Sequence, residues 1–202
     1  MGREEIGHRT GRIPAKFCWL CFILFYASNI YIFATKPFDT PFLNGLAAHI
    51  TSSIIIFAFS FTFSNSSLYD PCWVGSALPV AAGWFLTSEG FSIRGTVTMF
   101  LVFLWWSRFM FQWPWEGWTH GLDHEDWRFI DIDRKLGGNS VLYWLTSLFG
   151  FHIFPTLIVF FGLVPCEKVW TSGSKGPELG PMDIVAFTAT FLGVAISYLA
   201  DK

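Results

Sequence analysis

Charged residues are placed so that long apolar runs lie between them. Residues 17–35 carry no charge between Lys16 and Lys36, and residues 40–69 carry none between Asp39 and Asp70. Residues 71–88, 136–166 and 184–200 are also charge-free, and the run from Gly95 to Trp115 is interrupted only by Arg108. A spanning helix needs about 20 apolar residues, because each adds about 1.5 Å across a hydrocarbon core about 30 Å thick. The runs therefore predict an all-α fold, a polytopic integral membrane bundle of about six helices. Their expected positions are near 17–35, 46–63, 72–88, 95–112, 141–164 and 182–199. Residues 1–16 read as a polar N-terminal tail, and 17–202 as a single transmembrane domain with an acidic, aromatic loop at 112–140. The first run exceeds the roughly 7–15-residue core of a cleavable signal peptide, and Glu4 and Glu5 are unlike a transit peptide.

Lysine and arginine then suggest an orientation. With six spans, one side holds Arg3, Arg9, Arg12, Lys16, Arg108, Arg128, Arg134, Lys135 and Lys202. The other holds only Lys36, Arg94, Lys168 and Lys175. Both termini are expected on the positive, cytoplasm-equivalent side, of either an organelle inner membrane or the endoplasmic reticulum. The sequon Asn65-Ser66-Ser67 falls on that same side and is expected to be unglycosylated.

Composition narrows the class further. The chain is 52% hydrophobic, 20% aromatic and 14% charged, against about 25% charged in an average soluble domain. That excludes an ordinary soluble enzyme and a disordered tail. A net charge of −2 with no basic face excludes nucleic acid as a partner. Cys18-Trp19-Leu20-Cys21 has redox spacing but lies inside an apolar helix, where a reactive thiolate has no water, so the cysteines read as packing residues. No G-x-G-x-x-G and no G-K-[ST] is present, so no nucleotide motif of either kind is encoded.

Polar chemistry concentrates in Gln112–Lys135, QWPWEGWTHGLDHEDWRFIDIDRK. His120-x-x-x-His124 with Asp123, Glu125 or Asp126 has ligand types that suit zinc or iron. Membrane di-iron enzymes use several such histidine boxes, however, and this chain has five histidines in all; no metal is expected. The stronger reading is an interfacial network. Trp113, Trp115 and Trp118 would sit at headgroup level, and Arg128, Arg134 and Lys135 would meet lipid phosphates. Glu125, Asp126 and Arg128 would pair with one another. Inside the spans the costly groups are Asn29, His49, Arg108 and His152. Pro155 should free a carbonyl one turn back and kink its helix beside His152. Asp70-Pro71 reads as an N-cap followed by proline at N1.

Tyr69-Asp70-Pro71-Cys72-Trp73, then Glu125-Asp126-Trp127-Arg128-Phe129 and Arg134, resemble the DUF1295 group of steroid 5-alpha-reductase-like membrane enzymes. Ser197-Tyr198-Leu199-Ala200-Asp201 resembles the ending of one of its later helices, so the likeness covers roughly residues 65–202. The resemblance implies a polytopic helical fold and, for catalytic relatives, NADPH-dependent reduction of a steroid- or lipid-like enone. It makes Asp70, Arg108, Glu125, Asp126, Arg128 and Arg134 candidates for cofactor contacts. In the family a further stretch, rich in arginine, histidine and Asn-Tyr, closes over the cofactor, whereas this chain ends at Lys202. The expected function is therefore a non-catalytic, degenerate reductase-like membrane subunit, without a cofactor of its own. It would give structural and lipid contacts in a larger hetero-oligomeric complex, one host being an organelle energy-transducing membrane. The alternative is an NADPH-dependent reductase completed by a missing segment or a partner chain.

Overall fold

The computed structural model describes residues 11–88, 90–112, 120–176 and 178–200. Helix α1 (Ala15–Thr35) ends where Lys36 turns left-handed at φ 45° and returns its N–H to Ile32 O at 2.8 Å. Helix α2 (Pro41–Phe63) starts earlier than the expected residue 46, because Thr40 caps it. The Thr40 hydroxyl accepts from Leu43 N at 3.2 Å, and Pro41 fills N1, where its missing N–H costs nothing. Asn44 closes the connection by accepting from Phe38 N (3.0 Å) and donating to Phe38 O (2.8 Å).

A 3-10 turn (Ser66–Tyr69) leads into the short α3 (Cys72–Gly75), then α4 (Ala77–Leu86) and α5 (Ile93–Gln112). Helix α6 (Trp127–Lys135) lies where the sequence reading had a loop. Helix α7 (Ser140–Thr171) contains a π-helical stretch, Ser147–Ile153, and α8 (Pro181–Ala200) closes the described chain. A small antiparallel pairing joins β1 (Ile13–Pro14) to β2 (Gly121–Leu122), with Ile13 opposite Leu122.

The fold is an all-α membrane bundle. Four described helices, α1, α2, α7 and α8, are long and apolar enough to cross a membrane. The expected third span, 72–88, is the four-residue α3 followed by the ten-residue α4, short of the about 20 residues a crossing needs. The expected fourth span is the 20-residue α5, which carries Arg94 and Arg108. Outward faces are strongly apolar: Ile30 is 69% exposed, Phe111 81% and Ile184 68%, as lipid contact requires and water does not favour.

Two apolar clusters fill the interior. One gathers Cys18, Cys21, Phe25, Ile56, Leu68 and Cys72, so three of the four cysteines are ordinary packing residues. The other gathers Ala48, Ala77, Val80, Trp84, Phe160 and Trp170. Helix α8 stands apart from both. It buries no residue and rests on α5, pinned at both ends. Arg94 grips Asp183 with Nε–Oδ1 at 2.6 Å and a second bond at 2.7 Å, and Arg108 donates to Ser197 O at 3.0 Å. Both contacts carry the same offset of 89 residues, so α5 and α8 run parallel.

Close helix contact depends on particular glycines. A Cβ on Gly45 would meet the indole of Trp84, which is fully buried and tied by Nε1 to Pro41 O at 2.7 Å. A Cβ on Gly162 would meet nothing within 4 Å. Alanine gains about 1 kcal/mol of helix propensity over glycine at either site. Overpacking costs about 1–3 kcal/mol, and only at Gly45. Gly45→Ala should therefore lower the melting temperature in detergent, while Gly162→Ala should leave it unchanged or raise it. Equal shifts in both variants would disprove the Gly45–Trp84 contact.

Candidate functional site

The polar residues converge where residues 120–126 meet the end of α2 and the start of α7. Asn65 is the hub. Its amide nitrogen donates to Gly11 O and His124 O, both at 3.0 Å, and its oxygen accepts from Ser67 N at 3.1 Å. The asparagine of the sequon is thus fully buried and engaged within the chain. Ser67 Oγ accepts from Asp126 N at 2.7 Å, which fixes the entrance to α6.

At this junction Glu125 and Asp126 face opposite ways. Glu125 is 7% exposed and turned inward, accepting from Ser66 N at 2.7 Å and from Tyr143 Oη at 3.0 Å. Asp126 faces outward as the N-cap of α6, accepting from Arg128 N at 2.9 Å. The same carboxylate takes Arg128 Nε at 2.7 Å and a second guanidinium nitrogen at 3.1 Å. Arg128 then reaches Asp70 at 3.4 Å. Partial burial works against the Asp126 charge, but the Arg128 bonds outweigh it and hold its pKa below the usual range. Burial acts more strongly on Asp70, and despite Arg128 it pushes that carboxyl up from 3.8 to about 7.

Asp70 does not cap the following helix, as its sequence position suggested. Pro71 sits just before α3 in helical conformation, and α3 has no side-chain cap. The Asp70 carboxylate is directed to Arg128 instead. Asp70 is itself helical, at φ −51° and ψ −43° at the end of the 3-10 turn, whereas an N-cap needs a non-helical backbone.

Below Glu125 lies a buried chain of hydroxyls. Ser66 Oγ is 2.9 Å from Tyr143 Oη and 3.0 Å from Ser147 Oγ. His152 Nδ1 is 2.8 Å from Ser147 O, so this nitrogen carries the proton, because a carbonyl only accepts. His152 Nε2 is then the acceptor for Ser60 Oγ at 3.2 Å. Tyr69 Oη bonds Thr156 Oγ1 at 2.6 Å, and Thr156 pairs in turn with Ser53. The Pro155 expectation identified the right helix, but its distortion is the π-helical stretch 147–153, which carries Ser147 and His152 inward together.

The sequence-derived candidates thus separate into groups. Asp70, Asp126 and Arg128 come together, with Glu125 adjacent but facing the interior. A cavity of about 350 Å³ opens beside them, lined by Tyr69, Asp70, Trp73, Arg128, Phe151 and Pro155 among others. Arg108 lies elsewhere, stacked 4.2 Å from the Phe109 centroid and bonded to α8. Arg134 and Lys135 are exposed at the end of α6, where the negative end of the helix dipole favours cations, and Lys135 pairs with Asp131 at 2.8 Å. Trp113, Trp115 and Trp118 lie outside the described residues. His120 and His124 flank the extended Gly121–Leu122 rather than sharing a helix face, and no cluster of three metal-ligating side chains occurs among the described residues.

Of the six residues considered for a dinucleotide, only Asp70 and Arg128 line the cavity. Arg128 is already shared between two carboxylates. A dinucleotide diphosphate needs unshared cationic or N–H donors on one wall, so this set does not fit one. Sequence reasoning missed Asn65, Ser66, Tyr143 and Ser147. A hydroxyl run at 64–67 opposite another polar step in an apolar helix was the available signal.

No curated protein and no solved structure matches the chain. The family described as protein of unknown function (DUF1295) matches residues 56–202. That span includes the 3-10 turn, the Glu125–Arg128 junction and the hydroxyl chain beneath them. The chain belongs to the DUF1295 family.

Proposed function

We propose that this protein is a non-catalytic integral membrane subunit that contributes helix and lipid contacts to a larger membrane assembly. The observation that carries this reading is the direction of its charges. Glu125 seals an internal network, Asp126 and Asp70 hold Arg128, and Arg108 holds α8. Groups that would have to face a cofactor are spent on the chain's own architecture. Buried, fully paired polar networks specify one packing arrangement, which is what a subunit needs. Helix α8, largely apolar and with no fully buried residue, supports the same reading. Trp113, Trp115, Trp118, Arg134 and Lys135 are proposed as the interfacial lipid contacts, with Arg128 at their edge.

The test is extraction from the native membrane in mild detergent, followed by particle mass and composition. Stoichiometric co-migration with other membrane chains is expected. No thermal shift is expected with NADPH at about 1 mM, a concentration that would add about 1.4 kcal/mol for a ligand with a dissociation constant of about 0.1 mM. A lone particle stabilised by NADPH, with the shift lost in Arg128→Ala, would establish the reductase reading instead.

A further inference from the structure

Between its two arginine clamps, α8 does not lie flat on the bundle. A cleft of about 790 Å³ separates it from α7, with α5 as the floor. Gly162 on α7 and Gly193 on α8 both line this cleft, and neither has an atom within 4 Å of where a Cβ would stand. The clamps at Arg94 and Arg108 are about 21 Å apart along α5 at 1.5 Å per residue, a little more than the depth of one leaflet, which is about 15 Å of hydrocarbon.

The wall between the clamps is hydrocarbon in character. Thr98 and Thr190 line it, but each turns its hydroxyl back to its own helix, Thr98 to Arg94 O at 2.8 Å and Thr190 to Ala186 O at 2.8 Å. Trp105, Ile158, Leu163 and Phe187 are among the apolar side chains that line the rest. One end is polar, where Arg94 and Asp183 form a neutral ion pair that also borders the cleft.

From this geometry we infer that the cleft between α5, α7 and α8 is the seat of one two-chain glycerophospholipid with a zwitterionic headgroup. A 20-residue helix about 10 Å across fills roughly 2,400 Å³, more than the cleft holds, whereas a phospholipid need seat only its acyl chains there and leaves its headgroup outside, at the Arg94–Asp183 end. The cleft lies instead in the about 300–1,000 Å³ range of small-molecule sites. Length matches acyl chains, and apolar walls suit them. The headgroup assignment follows from charge. Asp183 already neutralises Arg94, so an anionic headgroup gains no net attraction there, whereas a phosphate and an ammonium can meet Arg94 and Asp183 respectively. The lipid would complete the contact of α8 with the bundle, which the protein alone leaves to α5.

The inference goes beyond the subunit reading and is tested separately from it. The full-length protein is extracted in mild detergent, and its retained phospholipids are identified by native mass spectrometry and lipid extraction. One zwitterionic phospholipid per chain is expected. Gly162→Leu and Gly193→Leu point side chains into the cleft, and the double variant should retain at least about tenfold less lipid. The Cβ of each substitution meets no neighbouring atom and leucine improves helix propensity, so folding is checked by the melting temperature of the lipid-depleted protein, which should not fall. Unchanged lipid in the double variant overturns the assignment, as do an anionic phospholipid at the same stoichiometry and a wild-type chain that carries none. A second copy or partner helix in the cleft would appear as protein cross-links from Gly193→Cys, and would also overturn it. The lipid outcomes leave unchanged the protein composition of the particle, which tests the subunit reading.

Discussion

Glu125→Ala is expected to destabilise the protein by about 3 kcal/mol, while Glu125→Gln costs about 1 kcal/mol or less. The difference lies in who is left without a partner. Glu125 is buried, and its Oε1 accepts from both Ser66 N and Tyr143 Oη. Alanine removes that oxygen and leaves a cavity. Tyr143 can turn its proton to Ser66 Oγ, already 2.9 Å away. The Ser66 backbone N–H has no such alternative, and a buried orphan donor costs about 1–3 kcal/mol. Cavity formation adds to this. Glutamine keeps an oxygen at the same reach for Ser66 N and Tyr143 Oη and gives up the charge-assisted part of these bonds. Because the network ties α2, the 3-10 turn, residues 120–126 and α7 together, the loss should appear in global unfolding. Tryptophan fluorescence in denaturant, read for both variants, measures it. If alanine and glutamine prove equally costly, Glu125 is not the acceptor for Ser66.

Most helices were legible because hydrocarbon imposes one requirement on every spanning segment. Uninterrupted apolar length therefore located α1, α7 and α8 within a few residues in their cores. Helix starts were less visible, since they depend on capping. Thr40-Pro41 moved the start of α2, and Asp126 began α6, whose amphipathic nine residues end in Arg134 and Lys135. That capping pattern was readable in the sequence but was obscured by the charge density around it. Asp70 failed as a cap for the opposite reason: an ion pair with a residue far along the chain outweighed a local preference. The same holds for the site. The sequence grouped Glu125, Asp126 and Arg128 by adjacency, yet successive residues at a helix start point to different sides. Only the fold sends Glu125 inward and Asp126 outward. Ser66 lay in a visible polar run, but Ser60 and Ser147 had no signal of their own, because an isolated serine in an apolar run is compatible with a back-bond to its own helix.

Asp70 makes the protein more stable in mild acid than in mild base, and Asp70→Asn should remove that dependence. The side chain of Asp70 is 15% exposed. Burial raises its pKa from 3.8 to about 7; Arg128 opposes this, and Asp126 and Glu125 add to it. A folded-state pKa above the unfolded one means that the native protein binds the extra proton between about pH 4 and 7. Stability from this group is therefore fully present below about pH 4, is lost progressively as pH rises to about 7, and changes no further above it. At 1.36 kcal/mol per unit, the raised pKa sets an upper limit of about 4 kcal/mol for charged Asp70 at pH 8. Asparagine keeps an oxygen for Arg128 and removes the buried charge, but forgoes the ion pair, so the expected gain at pH 8 is about 1–3 kcal/mol. Below about pH 4 Asp70 is protonated in both the folded and the unfolded state, and the two proteins should unfold alike. Asp126, whose pKa Arg128 keeps low, stays charged across the window and contributes equally to both. Melting temperatures of wild type and Asp70→Asn between pH 4 and 8.5 should meet at the acid end, diverge up to about pH 7 and keep a constant separation above it. A separation that does not change anywhere between pH 4 and 8.5 would show that Arg128 compensates the buried carboxylate fully, and that the junction carries its charge at no cost.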